Sequence, residues 1–143
     1  MATRKDFHDL TRPGFVPRRV LVVEDEDAAR TATRRYLQYR GHEVAAAATA
    51  DEGLAKAELL RPEVLISDWK LSGRRDGIDV ARTLRQRFDL AVIFVTAYAL
   101  ADLRRQTGDL GPVSCLRKPI SLDTLAALLD AVETPAVETR VDK

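Results

Sequence analysis

Short apolar runs alternate along the chain with stretches whose apolar positions recur every three or four residues. The run Arg19–Val23, RVLVV, suits a strand buried on both faces. It ends in the acids Glu24, Asp25, Glu26 and Asp27, and then Ala29, Ala32, Thr33, Tyr36 and Leu37 mark one face of a helix. Asp27 is the expected N-cap of that helix and Gly41 its stop. Residues 43–47, EVAAA, read as a weak second strand. Thr49 and Glu52 have capping-box spacing before a helix that carries Leu54, Ala57 and Leu60 and ends at Pro62. Residues 63–67, EVLIS, form a third strand, and 71–77, LSGRRDG, a loop. Ile78, Ala81 and Leu84 stripe a third helix, followed by the most apolar strand, 90–95, LAVIFV. Residues 99–107 predict a polar, weakly amphipathic fourth helix, and 113–117 a short fifth strand. Ser121 caps a last helix bearing Leu122, Leu125, Ala126, Leu129 and Val132. Residues 1–17, with Pro13, Gly14 and Pro17, and residues 134–143 read as tails, which leaves 18–133 as the folded unit.

Strand followed by helix, five times over, predicts an α/β fold: a doubly wound parallel sheet with helices on both faces. In such sheets the functional site lies beyond the carboxyl ends of the strands, where strand order reverses. The first strand ends in Glu24 and Asp25, the third in Asp68, the fourth in Thr96 and the fifth in Lys118-Pro119. Three carboxylates at one edge repel one another, and a hard divalent cation such as Mg²⁺ relieves that repulsion. A threonine hydroxyl and a lysine opposite them suit a phosphoryl group. Asp68, between them, is placed to be a carboxylate nucleophile. Each residue alone has a plainer reading as a helix cap or a surface charge, and the set carries the inference.

Composition narrows the picture further. Lysine and arginine number 23 against 22 acids, which leaves no electrostatic footprint for direct nucleic-acid binding. The Arg pairs are scattered among acids and read as solvated faces. A single cysteine excludes an intrachain disulfide and suits a reducing, cytoplasmic setting. No apolar run reaches membrane-spanning length, and MATRKDFHDLTRPGF lacks the apolar middle of a signal peptide.

The segments VLVVEDED, LISDWKL, VTA at 95–97 and RKPI at 117–120 resemble, in order and spacing, the receiver domain of two-component response regulators, the family of the chemotaxis protein CheY. The resemblance covers residues 18 to 132 and implies a (βα)5 sheet of flavodoxin-like strand order 2-1-3-4-5. It implies that Asp68 is the phosphoacceptor. Glu24, Asp25, Asp68 and the main-chain carbonyl of Lys70 hold Mg²⁺ or Mn²⁺. Lys118 and Thr96 bind the phosphoryl group, Thr96 as the switch, and the bond to Pro119 is cis. Lys70 and Tyr98 flank the path of hydrolytic water and are shielding candidates. The implied partners are a histidine kinase or histidine phosphotransfer protein and a downstream protein met through the fourth helix, fifth strand and fifth helix. Dimerisation through that face stays open.

Three features depart from the family pattern. Glu24 stands where aspartate is commoner, the loop LSGRRDG is one residue longer than the commonest form, and Cys115 replaces the usual Tyr or Phe of the switch. Cys115 reads as a small buried filler, the alternative being a redox-sensing thiol. Trp69 reads as a partly exposed aromatic flanking the site, and His42 as part of an ordinary turn. The leading reading is a phosphorylated switch, not an enzyme, and a stand-alone response regulator. A receiver segment of a hybrid kinase and a phosphorylation-independent pseudo-receiver remain as alternatives. A dehalogenase-like phosphatase would need an acid where Lys70 stands, and a flavodoxin-like carrier would need a phosphate loop where EDED stands.

Overall fold

In β1 (Arg19–Val23) every residue after the first is buried, as a strand flanked on both sides and covered on both faces requires. The computed structural model describes residues 14–132. Around β1 lie β2 (Glu43–Ala47), β3 (Val64–Ser67), β4 (Ala91–Thr96) and β5 (Ser114–Arg117). They form one parallel sheet in the order β2-β1-β3-β4-β5. The alternating helices are α1 (Asp27–Tyr39), α2 (Ala50–Leu60), α3 (Gly77–Arg85), α4 (Leu100–Gln106) and α5 (Leu122–Ala131).

Side chains alternate across each strand, so the sheet splits the core in two. Leu21, Val23, Leu65, Val92 and Phe94 pack under α2, α3 and α4 with Ala57, Ala81, Leu84 and Leu103. Val20, Val22, Val64, Ile66, Ile93 and Val95 pack under α1 and α5 with Leu37, Leu125, Ala126 and Leu129. Strand order reverses between β1 and β3, which puts their carboxyl ends side by side. The ladder runs one step past each strand: Glu24 N–H donates to Ala47 O and Asp68 N–H to Val23 O, both at 3.0 Å. That fixes the backbone of both acids before their side chains do anything.

Local chemistry sets the helix ends. Thr49 accepts from Glu52 N–H at 3.1 Å, while Glu52 Oε1 reaches back to Ala48 N–H at 2.7 Å. Asp76 and Asp79 form a reciprocal capping box that starts α3. Several expectations are corrected. The N-cap of α1 is Glu26, not Asp27; Asp27 is the first helical residue, paired with Arg30 at 2.7 Å. Glu63, Leu90 and Val113 fall just outside their strands, and Thr96 falls inside β4. Trp69 is buried, 6% exposed, because its ring belongs to the core beneath α3. His42 is no ordinary turn residue. It is buried, its Nδ1 accepts the Arg18 N–H at 3.0 Å, its Nε2 lies 3.9 Å from Asp130, and the Phe15 ring packs on it at 5.1 Å. Phe15, which falls in the expected tail, therefore touches the domain. His8, residues 1–13 and the 134–143 stretch lie outside the described residues.

Candidate functional site

The strand ends deliver Glu24, Asp25 and Asp68 together: each offers a carboxylate oxygen, and these oxygens all lie within 4.8 Å of one another. Lys118, just past β5, bridges two of them. Its Nζ donates to Asp68 Oδ2 at 2.8 Å and to Glu24 Oε1 at 3.0 Å. The side chains of Glu24 and Asp68 are each only 12% exposed, so they lean on this ammonium in place of water. Burial alone would push the Lys118 ammonium down. Hydrogen bonds and charge from Asp68 and Glu24 outweigh burial and hold it above the ordinary lysine value. The Lys118–Pro119 peptide bond is cis, and Lys118 N–H donates to Thr96 O at 2.8 Å, tying the lysine to the end of β4.

Thr96 is fully buried, and its hydroxyl accepts the Tyr98 N–H at 3.1 Å. Tyr98 is half exposed and meets the Trp69 ring edge-on at 5.7 Å. Lys70, on the surface, lays its ammonium over the Trp69 ring at 4.2 Å and near the Tyr98 ring at 5.9 Å. The loop after β3 is pinned at three points. Ser72 donates its N–H and its hydroxyl to Asp25 Oδ2 at 3.1 and 3.0 Å. Arg75 pairs with Asp51 on α2. Gly77 N–H donates to Trp69 O at 2.7 Å. A Cβ at Gly77 would sit 2.0 Å from Asp68 O and 2.7 Å from Ser67 Oγ, so only glycine lets α3 start this close to the acid. Neither Ser72 nor the cation–aromatic packing of Lys70 was foreseen in the sequence, since a serine and a lysine in a polar loop carry no periodic signal.

Cys115 is half-buried, not fully buried. It pairs with Phe94 across β4 and β5 and packs against the core on the α4 side. Burial pushes its thiol up, against a smaller pull from Arg104, which is the wrong direction for a reactive redox thiol. Beside Asp68 a cavity of about 450 Å³ opens between α1 and α5, with Ala29, Ala32, Ile66, Val95 and Leu125 in its walls and Glu24 and Lys118 on its rim. Another, of about 540 Å³, lies at the far end of the sheet near Phe88, Leu110 and Leu128. There Arg85 donates to the carbonyls of Leu90, Leu110 and Pro112, and among the described residues no acidic cluster lies there.

The family description of the response regulator receiver domain matches residues 20–130. The chain belongs to that family. Transcriptional regulatory protein PdtaR of Mycobacterium tuberculosis is 34% identical over 129 residues, which cover 90% of this chain and 58% of the relative. Response regulator MprA of Mycolicibacterium vanbaalenii is 34% identical over 118 residues, 82% of this chain and 51% of that one. This receiver thus spans little more than half the length of either relative. Among solved structures, the Vibrio cholerae chemotaxis protein CheY4 superposes with a TM-score of 0.74 at 28% identity, covering 82% of this chain and all of CheY4. A CheY-like receiver domain protein from Methanospirillum hungatei gives 0.73 at 29% identity, covering 81% of this chain and 93% of that one. The receiver's strand order is the 2-1-3-4-5 that the resemblance implied. No helix among its described residues is long and apolar enough to cross a membrane.

Proposed function

We propose that this receiver is a phosphorylation switch whose acceptor is Asp68, served by a histidine kinase or histidine phosphotransfer protein. The observation that carries the reading is Lys118 bridging Asp68 and Glu24 within a cluster of three acids. Three converging carboxylates fit a hard divalent ion that prefers oxygen ligands. Glu24, Asp25, Asp68 and the Lys70 main-chain carbonyl would hold Mg²⁺ or Mn²⁺, which supplies positive charge for phosphoryl oxygens. An Asp68 carboxylate oxygen attacks phosphorus, the bond to the donor breaks, and the donor leaves with the electron pair, giving an acyl phosphate. Lys118 stands ready to pair with a phosphoryl oxygen in place of one carboxylate. The Thr96 hydroxyl turns toward the same group and gives up the Tyr98 N–H. The cavity between α1 and α5, which Asp68 lines, is the entry an incoming phosphohistidine would use.

Output goes to a protein target through the face of α4, β5 and α5, with a cytoplasmic setting and no catalysis beyond the domain's own phosphotransfer and slow dephosphorylation. Incubation with a small acyl-phosphate donor and Mg²⁺ should add one phosphoryl group by mass. The gain should vanish in Asp68→Asn and in chelator. Equal labelling in either would overturn the assignment.

A further inference from the structure

The tie between Ser72 and Asp25 is not explained by folding alone. Ser72 lies at the surface, in the loop after β3, whose other anchors, Arg75 to Asp51 and the α3 capping box, already hold it, while Asp25 follows β1. Two donors from one residue converge on one oxygen: Ser72 N–H at 3.1 Å and Ser72 Oγ at 3.0 Å, both on Asp25 Oδ2. A carboxylate oxygen offers about two lone-pair directions. Both Ser72 donors therefore occupy Oδ2 and restrict the orientation of the Asp25 carboxylate, whose other oxygen, Oδ1, accepts no bond from Ser72.

We infer that Ser72 is a positioning residue for the metal site, presetting Asp25 for a divalent ion and linking ion binding to the order of the loop after β3. The inference rests on the reading of Glu24, Asp25 and Asp68 as ion ligands. Outer hydrogen-bond partners of metal ligands are worth roughly 10–100-fold in affinity. Ser72 lies at the surface and Ser72→Ala keeps the N–H donor, so the low end applies. Linkage makes the effect reciprocal: an ion that binds the tethered form of Asp25 stabilises the tether, and with it residues 72–75.

The experiment is a Mn²⁺ titration of the full chain, with free ion read by electron paramagnetic resonance. Wild type, Ser72→Ala, Ser72→Thr and Asp25→Asn are compared, with unfolding curves confirming that each is folded. Ser72→Ala should weaken Mn²⁺ binding about tenfold, Ser72→Thr should stay near wild type because it keeps the hydroxyl, and Asp25→Asn should lose most binding. A second readout is tryptic cleavage after Arg74 and Arg75, followed by mass. Mg²⁺ should slow it in wild type and markedly less in Ser72→Ala. Wild-type binding with Ser72→Ala unchanged in affinity and in protection would overturn this role while leaving the ion site intact. No Mn²⁺ binding by wild type would overturn the ion site and this role with it.

Discussion

At Gly77 a single missing atom lets α3 start beside Asp68. Any Cβ would collide with the Asp68 carbonyl, which is backbone held by β3 and cannot give way. Gly77→Ala should cost about 3 kcal/mol, the upper end of overpacking effects, in urea unfolding. A loss under ~0.5 kcal/mol would show that the close approach is not required. Lys118 makes a pH statement. Its folded value is raised, so its stabilisation is fully present below the ordinary lysine value of 10.5 and is lost as pH rises through the folded value. The melting temperature of wild type relative to Lys118→Met should thus be flat from pH 7 to 10 and fall above that. A fall already near neutrality would contradict it. At this scale the sequence was legible in the meeting of Glu24, Asp25, Asp68 and Lys118, read from the strand ends that carry them. It was not legible where a residue's role depends on a distant partner. Trp69 is taken into the core and met by Tyr98, 29 positions on, and His42 is claimed by Arg18, 24 positions away; nothing local announces either.

Elements were read from periodicity, and periodicity served well where a face is apolar. All five strands and all five helices lie where the pattern put them, with ends shifted by one or two residues. The shifts follow from backbone bonding that side chains do not report. Glu26 takes the N-cap position of α1 without using its side chain, while the conspicuous Asp27 sits inside the helix. The segment after β3 and the turn after β4 form one element in function. Lys70 and Tyr98 are brought together at the ring of Trp69, which directly follows Asp68 in the chain. If they shield an acyl phosphate from in-line water, replacing both with alanine should speed dephosphorylation several-fold, measured by loss of the mass gain in excess chelator. An unchanged or slower rate would remove the shielding role.

Across the whole molecule the question is which parts can move. Helix α5 is bolted to α1 and the strand starts: Tyr36 bonds Asp123, Arg40 meets Asp130 at 3.2 Å, and Arg18 donates to Val132 O at 2.5 Å. Helix α4 is different. It has seven residues, no side-chain cap and one buried residue, Leu103. Its entry is governed by the Tyr98 N–H bond to Thr96, which a phosphoryl group would compete for. Under the proposed switch an aromatic at position 115 would fill space left by a displaced Thr96, and Cys115 carries no ring to do so. Moving a population from mostly inactive to mostly active takes roughly 5.5 kcal/mol of differential binding. With no ring at 115, that difference must come from the 97–100 backbone, from Tyr98 against Trp69, and from a bound partner. Hydrogen exchange with and without phosphodonor and Mg²⁺ should therefore change most across residues 97–107 and little across α5. Cys115→Ala should leave that change intact, whereas Tyr98→Ala should shrink it. If Cys115→Ala abolished the change and Tyr98→Ala preserved it, coupling would run through β5, and the loop after Thr96 would follow the switch without driving it.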